Sequence, residues 1–207
     1  MKAYLKRVPG LRTVVRFLRG QSPHAPRKRV LTKMPRKSVG AEIGVHKGDY
    51  SEEILRFVNP IRLHLIDPWE HEEGEEYKHA WYGGCASEDQ ATLDSRFVSV
   101  ISRFAKEINL GRIVLHRGYS SDVASEFRNN YFDWVYIDGN HLYEYVKLDL
   151  ELYYPKIKSG GYITGDDYGV QGWWNNGVQK AVDEFVGQRP RLSLEVIGSQ
   201  FIIRKKA

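Results

Sequence analysis

The chain has 207 residues and a formal net charge of +5, a length that gives one large domain, or one domain with an extension, and enough chain to bury a full core. A single cysteine, Cys85, excludes an internal disulfide and a cysteine-based zinc site, and it fits a reducing, cytoplasmic setting. No apolar run approaches the roughly 18 residues of a membrane span, and residues 1–20 lack the continuous apolar stretch of a secretory signal.

The charge is uneven. Residues 1–41 contain Lys and Arg throughout but no acid, so a basic arm precedes a net acidic remainder. Leu5, Val8, Leu11, Val15 and Leu18 fall near helical spacing, and Pro9-Gly10 places any helix after them. Such a basic amphipathic segment over residues 1–20 suits an anionic membrane surface, peripherally bound. It suits equally a lid on the domain or the arm of a homodimer; nucleic acid is the less expected partner. A mitochondrial presequence shares the composition and is disfavoured. Pro23, Pro26 and Pro35 make residues 22–35 read as linker. Residues 1–38 are therefore expected to be an extension and residues 39–207 the main domain.

From residue 39 strands and helices alternate. Residues 39–45 read as the first strand, and 49–58 as a helix capped by Asp49 or Ser51. A second strand, 61–66, ends in Asp67-Pro68-Trp69. Residues 71–84 are charged and aromatic and read as a loop or short irregular helix. A helix over 91–107, a strand over 112–116 and a short helix over 120–128 follow. The run 134–137 reads as a buried strand ending in Asp138, and 162–164 as another ending in Gly165-Asp166-Asp167. Between them Tyr143, Val146, Leu150 and Tyr153 keep helical spacing. Strand, helix, strand at this length is a βαβ unit with parallel neighbouring strands. A helix over 178–186 and a hairpin of 192–197 with 200–204 close the chain. The expected fold is α/β, a doubly wound, Rossmann-like, mostly parallel sheet with an antiparallel C-terminal hairpin.

The chemistry-bearing residues fall where such sheets keep their ligands, at the carboxyl ends of the strands. Asp138, Asp166 and Asp167 would stand there with His141. An aspartate after a strand is often only a turn or cap residue. Adjacent carboxylates, however, repel unless something positive lies between them, and a hard divalent ion would serve. Gly44 and Gly48 in the first turn allow close approach of a ligand or simply make a tight turn. The spacing is Gly-x-x-x-Gly, not the dinucleotide pattern, which disfavours a pyrophosphate cradle. Asp67 is placed to accept two hydrogen bonds from a ribose diol.

The segments Ala-Glu-Ile-Gly-Val-His-Lys-Gly, Leu-Ile-Asp-Pro-Trp, Tyr-Ile-Asp-Gly-Asn-His-Leu-Tyr-Glu and Lys-Ser-Gly-Gly-Tyr-Ile-Thr-Gly-Asp-Asp-Tyr together resemble a class I S-adenosylmethionine-dependent methyltransferase. More narrowly they resemble the metal-dependent O-methyltransferases of the catechol and macrolide-sugar types, over residues 39–206. The resemblance implies that Glu42 and Gly44 face the methionine part of the cofactor, with His46 and Gly48 in the same turn. It implies that Asp67 holds the ribose, that Trp69 covers the adenine, and that Tyr119, Ser120 and Ser121 cradle it. Asp138, beside the cofactor, would join Asp166 and Asp167 in ligating Mg²⁺ or Mn²⁺. The catechol type has a catalytic lysine where this chain has His141, which suits a base near neutral pH. The macrolide-sugar type has an acid where this chain has Asn140, which cannot act as one.

The expected function is divalent-metal-dependent O-methylation of a small-molecule or sugar hydroxyl, with aromatic loops at 77–84 and 168–176 closing over the substrate. The alternatives are a nucleotide-dependent oxidoreductase, or a non-catalytic module that binds membrane or nucleic acid through the basic arm.

Overall fold

The computed structural model describes residues 25–77, 80 and 89–206. The basic stretch 1–20 and most of the expected 77–84 loop lie outside them. Seven strands form one sheet: β1 (Val39–Ile43), β2 (Arg62–Asp67), β3 (Ile113–Arg117), β4 (Phe132–Ile137), β5 (Ile157–Gly165), β6 (Leu192–Ile197) and β7 (Gln200–Lys205). Their order is β3-β2-β1-β4-β5-β7-β6. The first five are parallel; β7 runs antiparallel to both β5 and β6. Strand order reverses between β1 and β4, and that reversal opens a crevice at the strand ends.

Period-two alternation distributes the core to both faces of the sheet. Ala41, Ile43, Val135 and Ile137 face one cluster, beneath α6 (Tyr143–Tyr153) and α7 (Gly177–Gly187). Leu63, Leu65, Trp134 and Tyr136 face the other, beneath α2 (Asp49–Phe57) and α3 (Gln90–Arg103). Glu42 lies between Ala41 and Ile43 and so points to the α2 side, where it is buried.

Several elements differ from expectation for local reasons. Residues 22–35 are not linker throughout. Ala25–Leu31 forms a helix, α1, with Pro26 in its first turn, where a missing N–H breaks no helical bond. Val30, Leu31 and Met34 are buried in the α2-side core, so residues expected outside the domain pack into it. The expected 91–107 helix breaks at Phe104 into α3 and a short α4 (Ala105–Asn109). The helix expected over 120–128 is α5 (Ser120–Val123) followed by a tighter turn. Neither Asp49 nor Ser51 caps α2. Gly48 occupies the cap with φ 78°, and the Ser51 hydroxyl is turned inward to Glu42. Among the described residues no helix is long and apolar enough to cross a membrane.

Candidate active site

Two adjoining clefts open at the carboxyl ends of the parallel strands. The first runs past Gly44, Asp67, Tyr119, Ser120, Asn140 and Asp149. The second runs past Arg27, Glu42, Tyr50, His141, Asp167 and the Trp173-Trp174 pair. Gly44, His46 and Asp138 line both, so the clefts meet there.

The β1 turn is built around Asp67. One carboxylate oxygen accepts from the backbone N–H groups of Val45 and His46, each at 2.9 Å; the other accepts from Trp69 N–H at 2.8 Å. Burial pushes the Asp67 pKa up, and these three donors oppose the shift. Gly44 has φ 87°, and a Cβ there would lie 2.1 Å from the Asp138 carbonyl oxygen. Only glycine lets the turn pass so close to the end of β4. His46, Trp69 and Asp167 also carry left-handed backbones, at φ 54°, 44° and 58°. Such conformations are uncommon outside glycine, and here they fall at the ends of β1, β2 and β5.

Tyr119 and Ser120 line the first cleft, and Ser120 Oγ donates to Asp149 at 2.5 Å. Asp149 is an unexpected site residue. It sits on the buried face of α6, and burial raises its pKa to about 7 against the Ser120 hydrogen bond. Its signal was present in the sequence as a carboxylate among Val146, Leu150 and Tyr153 on the inward helical face. Asn140 accepts from Leu142 N–H and donates to Tyr77 at 2.8 Å, joining the end of β4 to the 71–77 loop.

Three expected cofactor residues line neither cleft. Trp69 is buried in the α2-side core, where its ring packs on Phe97 with centroids 4.9 Å apart and its indole N–H donates to His46 O. The indole lies beneath the β1 turn. Gly48 packs against Phe104 at the start of α2, and Ser121, in α5, lies outside both linings.

In the second cleft Asp138, His141 and Asp167 come together, each offering one ligand atom, all within 4.8 Å of one another. His141 Nε2 stands 3.5 Å from Asp138 Oδ1 and 3.4 Å from Asp167 Oδ2, and its ring packs edge-on to Trp174 at 4.8 Å. Burial lowers the His141 pKa, but Asp138 and Asp167 outweigh it and the net direction is up. Asp167 is raised to about 6, by burial first, with the His141 charge opposing and the neighbouring aspartates adding. Glu42 is raised to about 8 by burial, opposed by its 2.5 Å bond from Ser51.

Asp166, expected as the third carboxylate of that group, is engaged elsewhere. One oxygen accepts from Ser199 Oγ, Gln200 Nε2 and Asp167 N–H. The other accepts Arg27 Nε at 2.7 Å, and the same guanidinium reaches Asp138 Oδ2 at 2.9 Å. Arg27 comes from α1 and lies over the Tyr50 ring at 5.2 Å. Pro23, Pro26 and Pro35 concealed this helix in the sequence; the apolar Val30, Leu31 and Met34 are its sign.

Comparison with known proteins places this geometry. A protein of Acanthamoeba polyphaga mimivirus is 40% identical over 75 residues, covering 33% of each chain, so the match spans about a third of that relative. A solved structure from Corynebacterium glutamicum superposes with TM-score 0.63 at 14% identity, covering 100% of this chain and 95% of that one. The O-methyltransferase TomG of Streptomyces achromogenes, involved in tomaymycin synthesis and solved with S-adenosylmethionine, superposes with TM-score 0.57 at 19% identity, covering 90% and 82%. Residues 41–168 match the family described as methyltransferase domain, which is more than half of the chain. The chain therefore belongs to the methyltransferase-domain family, and its fold is the class I fold of S-adenosylmethionine-dependent methyltransferases.

Proposed function

We propose that the chain is an S-adenosylmethionine-dependent O-methyltransferase that works with a divalent ion on a hydroxyl of a small molecule or sugar. The meeting of the two clefts at Gly44, His46 and Asp138, beside the Asp138–His141–Asp167 group, carries this reading. The first cleft offers Asp67 to ribose hydroxyls and Tyr119, Ser120 and Asp149 to a nucleobase. Glu42, His46 and Gly44 would flank the methionine part.

The residues present fit an ion. Asp138 and Asp167 would supply two oxygens within 4.8 Å of each other, with the His141 ring beside them. Carboxylate oxygens suit Mg²⁺ and Mn²⁺ alike. When bound, S-adenosylmethionine supplies an activated methyl group and the ion lowers the pKa of the acceptor hydroxyl. His141 would take the released proton, its Nε2 standing 3.5 Å from Asp138 and 3.4 Å from Asp167. Trp173 and Trp174 offer apolar surface to an acceptor and shed water from it. The basic, acid-free residues 1–20 would add an anionic membrane surface as a partner, read by salt-sensitive flotation with anionic liposomes.

Transfer of labelled methyl from S-adenosylmethionine into hydroxylated acceptor pools tests the reading. Transfer should stop with chelator and return with Mg²⁺ or Mn²⁺. Full transfer in excess chelator would remove the ion; absence of S-adenosylmethionine binding would remove the whole assignment.

A further inference from the structure

We propose that Arg27 is a resident cation that competes with a divalent ion for the Asp138–Asp166 pair, so that ion binding and the docking of α1 oppose each other. The inference rests on the reading above that an ion binds beside Asp138. Its basis is the position of the guanidinium. Arg27 Nε lies 2.7 Å from Asp166 Oδ2, and the terminal nitrogen that also reaches Asp166 lies 2.9 Å from Asp138 Oδ2. One planar guanidinium thus spans two carboxylates from the ends of β4 and β5 through charge-assisted hydrogen bonds.

The guanidinium is held from behind. Val30, Leu31 and Met34 are buried, and Tyr50 supports the guanidinium from α2. Arg27 also lies outside residues 41–168, so it is an addition to the family-matched segment. With Arg27 in place, Asp138 has one oxygen given to a cation, and Asp166 is fully taken up by Arg27, Ser199, Gln200 and Asp167 N–H. An ion at Asp138 and Asp167 would therefore bind with one carboxylate fewer than the three at hand. It would also share Asp138 with a second positive charge a few ångströms away, and like charges on one carboxylate repel. Thermodynamic reciprocity then requires that the ion loosen α1 by the factor by which Arg27 weakens the ion.

The test is Mn²⁺ affinity of the full chain by electron paramagnetic resonance, in wild type, Arg27→Met and Asp167→Asn, with hydrogen exchange of residues 25–34 in wild type. Arg27→Met should bind Mn²⁺ roughly 5–150-fold more tightly, the usual range of coupling between sites. Saturating Mn²⁺ should speed exchange in residues 25–34 of the wild type. Equal affinity in wild type and Arg27→Met, with loss in Asp167→Asn, would overturn the competition and leave the ion site standing. No Mn²⁺ binding in either would remove both. If Arg27→Met does not fold, the wild-type exchange decides alone, and unchanged protection of residues 25–34 at saturating Mn²⁺ overturns the inference.

Discussion

The two clefts share a rim but differ in where their walls come from. Every residue along the first falls between Ile43 and Asp149, inside the family-matched segment, and its centre is a strand-end carboxylate that organises backbone N–H groups. The second takes Trp173 and Trp174 from beyond that segment and Arg27 from before it. On the reading proposed above, the cofactor cleft is built wholly inside the matched segment, and the acceptor cleft draws part of its wall from outside it.

The division can be broken at its seam. His141→Ala should give the largest effect, a fall in turnover of roughly 10²–10⁴-fold, with affinity for S-adenosylhomocysteine unchanged by calorimetry. Unchanged Mn²⁺ affinity in that variant fits a base; lost Mn²⁺ affinity makes His141 a ligand. Asp67→Ala should act on the first cleft and on the β1 turn that the two clefts share. Orphaning the N–H groups of Val45, His46 and Trp69 should cost about 3 kcal/mol or more in urea unfolding, with weaker binding of S-adenosylhomocysteine. Unaltered affinity in a folded variant would free the ribose from Asp67.

Trp173→Ala should act on the second cleft alone. The acceptor KM should rise about tenfold, worth about 1.4 kcal/mol, while S-adenosylhomocysteine affinity holds. A parallel loss of both would merge the clefts into one unit. Asp149→Asn should give the smallest effect, a change of slope. Asp149 titrates near 3.8 unfolded and about 7 folded, so the folded chain keeps a proton that the unfolded chain has released. Its contribution to stability is fully present below about pH 4, declines as pH rises to about 7, and is flat above. Urea midpoints of the ligand-free protein across that window should fall less steeply in Asp149→Asn; an unchanged slope would show that Asp149 titrates normally.

Much of this architecture was legible because strands announce their ends. Trp134–Ile137 and Tyr162–Thr164 are short apolar runs, each followed by glycine and acid, and both are strands ending at the crevice. The carboxylates were therefore placed on the correct edge. Their individual partners were not legible, since those depend on side-chain direction after the chain turns. Adjacent Asp166 and Asp167 diverge: one faces Ser199, Gln200 and Arg27, the other His141. The demand for positive charge beside them was sound physics, but part of it is met from α1, about 140 residues away in sequence and hidden by prolines that suggested linker. The inward direction of Trp69 was not legible, because an aromatic after a strand-end acid fits a ligand cover or a buried brace equally well.

The grip of Gln200 on Asp166 makes one carboxylate depend on distant chain. Gln200 is fully buried, accepts from the Tyr136 hydroxyl at 2.8 Å and donates to Asp166, so β7 ties β4 to the end of β5. Asp67 takes all three of its backbone donors from the β1 turn and from Trp69, two residues on. Asp166 instead takes its direction from Ser199 and Gln200 on one side and Arg27 on the other, so loosening the hairpin would turn Asp166 and leave Asp67 in place.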